Sequence, residues 1–286
     1  MPEGPSIVIL RELTEQFEGK KVLSASGNAK IEINRMQGLK LISCRSWGKH
    51  FLLVFNGFFV RVHFLMFGTY RINERKETAP RLSLVFSNGE LNFYTCSVKL
   101  FDGDINTVYD WEKDVMADEW NPKKAETELK KTKTTKVCDA LLNQEIFAGV
   151  GNIIKNEVLW RICIHPESHV TALPAKKLKE MIRDARDYSF LFYAWKKEYV
   201  LKKNWKIYKK GECPRCGIKT IRTWLGVNER LTCYCPNCQL LYLNPESKVK
   251  SAAKKKKTGT VKKKTGTVKK AKAVKKVKRT TKTVSL

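Results

Sequence analysis

The chain has 286 residues, 42% of them hydrophobic and 29% charged, which supports packed cores and excludes a wholly disordered or fibrous polypeptide. Lys and Arg number 56 against 28 acids, a formal charge of +28, and a polyanion is the economical partner for such an excess. The longest apolar run near the start, Ile7 to Leu10, is too short for a membrane span or a secretory leader, so no membrane association is expected.

The chain begins MPEGPS. If Met1 is trimmed, Pro2 exposes a secondary amine, and an α-amino group titrates at about 7.7 to 8.0, leaving a reactive neutral fraction near pH 7. Ile7, Leu10, Leu13 and Phe17 then follow helical spacing, with Ser6 as the expected N-cap and Gly19 as the stop. From Lys20 to Asp102 the period shortens to that of strands, and Asn56-Gly57 and Asn88-Gly89 mark hairpins. The segment DWEKDVMADEWNP ends this pattern. Helices are expected at 122–131, 136–147, 152–161 and 173–202, the last running on toward residue 210. The fold class is therefore α+β: an N-terminal antiparallel β-sandwich domain with its helix (1–118), a helical domain (119–204), a cysteine-paired module (205–245) and a basic tail (246–286). Residues 248–286 hold 17 Lys/Arg and no acid, and contain the near-repeat TGTVKKK/TGTVKK, the composition of a disordered segment. The first 247 residues still carry +11.

Nine cysteines do not spell a disulfide framework here. CPRC at 213–216 and CPNC at 235–238 are two C-x2-C pairs 18 residues apart, the spacing of one structural Zn2+ held by Cys213, Cys216, Cys235 and Cys238. Cys233 competes with Cys235 on spacing alone, but two matched Cys-Pro-x-Cys turns fit better. Cys44, Cys96, Cys138, Cys163 and Cys233 lie in apolar or mixed contexts, as expected for packing residues in a reducing compartment. Arg230, with Trp224 and Tyr234 nearby in sequence, is placed to meet a phosphate from the end of the cysteine hairpin. In IFAGVGNIIKNEVLW (146–160) a Gly-x-Gly-Asn turn opens a helix, whose N–H groups, with Gly151 and Asn152, form a candidate anion site for a nucleic-acid phosphate.

MPEGP, SWGKHFLL (46–53), QEIFAGVGNIIKNEVLW and RLTCYCPNCQ occur in one order over residues 1–243. Together they resemble the formamidopyrimidine-DNA glycosylase/endonuclease VIII family of base-excision repair enzymes. The resemblance implies a helix–two-turn–helix DNA-binding domain and a zinc-finger hairpin. It implies a bifunctional glycosylase and abasic-site lyase in which Pro2 attacks C1′ and Glu3 protonates the opening sugar oxygen. Lys49 matches the lysine credited with phosphate contact and proton donation, Asn152 the phosphate-binding asparagine, and Arg230 the finger arginine tied to phosphate contact and δ-elimination. HFLMFG (63–68) resembles the endonuclease VIII loop that supplies intercalating side chains, making Leu65, Met66 and Phe67 candidate wedges; the alternative is strand core.

Three positions depart from the family pattern: Ser6 where many members have glutamate, Leu231 in place of a small residue, and Cys138 where many have lysine. No long loop precedes the cysteine module, so oxidised pyrimidines or ring-opened purines are the expected lesions. The implied partner is damaged DNA, double-stranded or single-stranded, met by a monomer without a small-molecule cofactor. The expected location is intracellular and DNA-associated, in a bacterial nucleoid or, in a eukaryote, a nucleus. A non-catalytic DNA-binding or architectural protein on the same scaffold is the alternative, and the Pro2-Glu3 pair argues against it.

Overall fold

A computed structural model describes residues 2–132 and 135–244, which belong to one compact unit ending at Asn244. The basic tail expected to be disordered lies outside the described residues.

The first element is helix α1 (Gly4–Thr14). Pro5 stands in its first turn, where its missing N–H loses no bond and its fixed φ suits the helix. The N-cap is Glu3, not Ser6, which lies inside the helix and donates its N–H to the Glu3 carbonyl at 2.8 Å. The chain leaves α1 through a 3-10 turn at Glu15–Phe17 and reverses at Gly19, φ +72°.

Eight strands follow: β1 (Ser24–Ser26), β2 (Ser43–Trp47), β3 (His50–Phe55), β4 (Phe58–His63), β5 (Thr69–Ile72), β6 (Leu82–Phe86), β7 (Gly89–Tyr94) and β8 (Ser97–Asp102). They form two antiparallel four-stranded sheets, ordered β1-β6-β7-β5 and β2-β3-β4-β8, with the hairpins at Asn56-Gly57 and at Ser87-Asn88. Alternation decides which residues enter the sandwich. Phe51, Leu53, Val60 and Val62 meet Leu84, Leu91 and Phe93 in one buried core, closed by Ile7, Leu10 and Phe17 from the first helix and its 3-10 turn. Each such side chain contributes roughly 1.5–3 kcal/mol of burial. The opposite face of the second sheet is covered as well: Trp47, Leu52 and Phe59 pack with Tyr109 and Ala148, which docks the sheet on the helical half.

That half contains α2 (Pro122–Lys131), α3 (Val137–Ala140), α4 (Asn152–Arg161), α5 (Ala175–Lys197) and α6 (Leu201–Asn204). Two expected helices are shorter than their periodicity implied. Residues 141–147 turn instead of extending α3, because Asn143 caps the Glu145 N–H at 2.9 Å and Gln144 accepts the Gly149 N–H at 3.1 Å, side-chain bonds that compete with the helical ladder. The long helix ends at Lys197, where Tyr199 takes φ +60° and the chain restarts as α6. Among the described residues no helix is long and apolar enough to cross a membrane.

The last elements, β9 (Ile221–Leu225) and β10 (Arg230–Tyr234), form a hairpin over a small cluster of Ile207, Cys213, Cys233 and Cys235.

Candidate active site and four-cysteine centre

Pro2 and Glu3 lie where the sandwich, α4 and α5 converge. Glu3 caps α1 only through its backbone. Its carboxylate turns inward to the N-terminus of α4, accepting the Ile153 N–H at 2.7 Å and the Ile154 N–H at 3.2 Å. The anion site expected for a DNA phosphate is therefore held by the protein's own glutamate. Two glycines make room for it. A Cβ on Gly151 would lie 2.2 Å from the Glu3 carboxyl carbon, and one on Gly4 would lie 2.7 Å from the Cα of Gly149, whose carbonyl accepts the Gly4 N–H at 2.9 Å. The Gly-x-Gly-Asn turn thus fits the terminal segment into the helix start.

Glu3 is fully buried, 0% exposed. Burial raises its carboxyl above the usual range, opposed by Lys49 and by the two N–H bonds. Lys49 occupies the β2–β3 turn and is half-buried; burial lowers its ammonium, Glu3 opposes the shift, and Arg230 adds to it. Glu3, Lys49 and Arg230 therefore share one electrostatic neighbourhood. The turn carrying Lys49 is pinned by Asp114, a residue no sequence motif marked. Its buried carboxylate accepts the Gly48 N–H and the Met116 N–H, each at 2.9 Å, and burial pushes its pKa up to about 6 against those bonds.

Helix α4 connects Glu3 to the cysteine hairpin. Asn152, Lys155 and Asn156 are three and four residues apart and share a face. The Asn152 Nδ2 donates to the Leu231 carbonyl at 2.9 Å, the Asn156 Oδ1 accepts the Cys233 N–H at 2.7 Å, and the Lys155 Nζ donates to Thr232 Oγ1 at 2.8 Å. Lys155 is wholly buried, which lowers it to about 8. Glu157, the residue after Asn156, accepts backbone N–H groups of Lys206, Ile207 and Tyr208. The sequence reading singled out Asn152 alone from this helix; the i, i+3, i+4 spacing was the available signal for the others. Arg230 starts β10 opposite Leu225 and is exposed, whereas Tyr234 lies at the far end of the hairpin opposite Ile221, in edge-to-face contact with His165, and does not flank the arginine.

Leu65, Met66 and Phe67 are not strand core. They form the turn between β4 and β5 and are 53%, 53% and 77% exposed. Met66 and Phe67 also line a cavity of about 780 Å3 that has Pro2 and Ser6 in its wall. The loop conformation is tied to the site: the Leu65 N–H reaches His63 Nδ1 at 3.3 Å, and burial, then Lys49 and Arg61, lower the His63 imidazole so that it accepts.

The thiols of Cys213, Cys216, Cys235 and Cys238 lie within 4.8 Å of one another. A tetrahedral ion with sulfur ligands at about 2.3 Å sets its sulfurs roughly 3.8 Å apart, and the structure has Cys216–Cys235 at 3.4 Å and Cys213–Cys238 at 4.0 Å. The donor set fits one metal ion. The Trp160 indole N–H donates to the Cys213 sulfur at 3.3 Å, a support for a ligating thiolate. Cys233 is not in the cluster and packs beneath the hairpin.

Comparison with known proteins agrees with this architecture. Residues 1–97 match the family model described as formamidopyrimidine-DNA glycosylase N-terminal domain, and residues 112–188 the formamidopyrimidine-DNA glycosylase H2TH domain. Among curated proteins, the chain is 30% identical over 231 residues to Endonuclease 8-like 3 of Xenopus laevis, covering 76% of this chain and 38% of that one. It is 31% identical over 196 residues to Endonuclease 8-like 2 of Bos taurus, covering 63% of this chain and 58% of that one. The chain thus spans about two fifths of the length of the Xenopus relative. In fold it resembles the Lactococcus lactis formamidopyrimidine DNA glycosylase bound to DNA containing an AP site, with TM-score 0.73 and 23% identity over 83% of this chain and 99% of that one. A viral DNA glycosylase is similar in fold to the same degree, with TM-score 0.72 and 21% identity over 83% of this chain and 100% of that one.

Proposed function

Because the chain belongs to the formamidopyrimidine-DNA glycosylase/endonuclease VIII family, in its endonuclease VIII-like branch, we propose that it is a bifunctional DNA glycosylase and abasic-site lyase. It removes oxidised bases, pyrimidines above others, from double-stranded or single-stranded DNA. The observation that carries this reading is a buried Glu3 carboxyl fixed on the α4 N-terminus, beside a Pro2 that faces an open cavity and within reach of Lys49.

The reaction follows from these positions. The damaged nucleotide leaves its stack, since no side chain reaches C1′ inside the duplex. The Pro2 nitrogen, freed of Met1, forms a bond to C1′; the glycosidic bond and the C1′–O4′ bond break, the base departs protonated, and Pro2 sheds its N–H proton. Glu3 supplies the proton that turns O4′ into a hydroxyl, and its raised pKa keeps it protonated to higher pH than an exposed carboxyl. The resulting iminium is cationic without protonation. It acidifies C2′, and loss of that proton expels the 3′ phosphate. Lys49 serves as phosphate contact and proton donor, and Arg230 as the second phosphate contact that assists loss of the 5′ phosphate.

Gly151 and Asn152 belong to the DNA-binding surface, Asn152 exchanging its bond to Leu231 when it meets a phosphate. Leu65, Met66 and Phe67 fill the gap left by the extruded nucleotide. One structural Zn2+, held by Cys213, Cys216, Cys235 and Cys238, stiffens the turns that support the Arg230 hairpin. Residues 1–118 act as the catalytic segment, 119–204 as the helix–two-turn–helix segment and 205–245 as the zinc finger, in a DNA-associated monomer. The preference for pyrimidines rests on the short link after α5, where only Glu198 to Val200 separate it from α6.

Incubation with abasic-site duplex and borohydride tests the reading. The protein becomes covalently joined to DNA if an iminium forms. Binding without a trapped complex would identify a non-catalytic DNA-binding protein instead.

A further inference from the structure

The cavity beside Pro2 falls within the size range of small-ligand sites, and its wall includes Ser6, Phe64, Thr69, Tyr70, Arg71 and Lys196. Lys196 brings the end of α5 to this wall, and three residues later the helix stops in an unusual way. Tyr199 takes φ +60°, a left-handed conformation that glycine or asparagine commonly fills at helix ends and that is strained for a residue with a side chain. The turn is closed by the Tyr199 N–H on the Lys196 carbonyl at 3.2 Å and the Val200 N–H on the Trp195 carbonyl at 2.9 Å. The ring gains no packing in return. At 96% exposure it is the most exposed large hydrophobic side chain among the described residues. It is nevertheless anchored beside the cavity, because the carbonyl that accepts its N–H belongs to Lys196, a residue of the wall. An aromatic ring held out into solvent in a strained turn, three residues from a side chain of the cavity wall, is suited to a flat ligand that arrives from outside.

Building on the glycosylase reading above, we propose that Tyr199 is a specificity-determining residue that stacks on the extruded base and selects planar lesions over saturated, puckered ones. A flat oxidised pyrimidine, such as 5-hydroxycytosine, presents a π face to the ring. A 5,6-dihydropyrimidine has two sp3 carbons and cannot lie flush against it. Tyr199 leaves the sugar chemistry alone, because an abasic site offers nothing to stack.

The test uses the full chain in single-turnover assays on three duplexes, carrying 5-hydroxycytosine, dihydrothymine or an abasic site. Stacking of a base on an aromatic side chain is commonly worth a loss of ~10- to 100-fold on alanine substitution. Tyr199→Ala is expected to slow release of the planar base by that factor, with dihydrothymine release and abasic-strand scission near the parent rates. Tyr199→Phe retains the ring and restores the planar rate. Equal slowing of planar and saturated bases, or no slowing of either with scission intact, overturns the inference while leaving the lyase reading in place. A parent chain that cannot cut the abasic strand removes the glycosylase reading, and the inference with it.

Discussion

On the inward side of Pro2, Glu3, the α4 N-terminus, Gly4 and Gly149 are packed so closely that a methyl added at Gly4 or Gly151 would clash, and Asp114 holds the Lys49 turn from below. On the outward side, Leu65, Met66, Phe67, Arg230 and Tyr199 project from turns and a hairpin end into solvent. The first group is immobilised by the protein, the second left for a ligand to immobilise. Proton transfer demands donors fixed to a fraction of an ångström, whereas a wedge or a stacking ring can complete its contacts after DNA arrives. The inward side should therefore govern the rate of chemistry and the outward side affinity and choice of lesion.

Substitutions on the two sides test that division. Glu3→Gln removes the proton while its single amide oxygen can still accept one of the two α4 N–H groups, and single-turnover base release should fall ~10²–10⁴-fold with DNA affinity little changed. Loss of affinity in parallel with rate would show that the inward side also binds. Gly151→Ala should approach the same rate loss by another route, because its Cβ must displace the Glu3 carboxyl; a thermal melt and the same assay check it, and parent-like activity would mean that Glu3 need not sit where it does. On the outward side, Phe67→Ala should weaken binding to lesion duplex ~10-fold, taking its loss as one apolar wedge worth about 1–2 kcal/mol, with the trapped fraction at saturating protein unchanged.

A pH series sharpens the comparison from the stability side. Asp114 titrates near 6 in the folded chain, above the ordinary aspartate value of 3.8. Between those values the native state binds the proton that the unfolded chain has released, so stability falls as pH rises, by about 3 kcal/mol across the interval. Asp114→Asn lacks this slope. Urea midpoints at pH 4, 5, 6 and 7 should show the parent losing its advantage over the variant as pH rises; parallel curves would place the Asp114 carboxyl in a wetter setting than its burial indicates.

The sandwich was legible because β3, β4, β6 and β7 are short runs rich in aromatic and aliphatic residues and their hairpins carry strong turn signals. The four-cysteine cluster was legible from spacing. Helix lengths were less so, since the apolar rhythm of 141–147 and 198–202 persists through segments that side-chain caps and a left-handed tyrosine break. The glycine turn was correctly located, but nothing local in VGNII states that a carboxylate from residue 3, some 150 positions away, accepts the Ile153 and Ile154 N–H groups there. Asp114 and Tyr199 escaped for the same reason. Each acts through backbone geometry or a cavity assembled from distant segments.

The most direct measurement is peptide mapping by mass spectrometry of the borohydride-trapped complex formed on abasic-site DNA. The account predicts the sugar adduct on the nitrogen of Pro2, in protein from which Met1 has been removed. An adduct on Lys49, Lys155 or any other lysine, or equal trapping by protein that retains Met1, would contradict it.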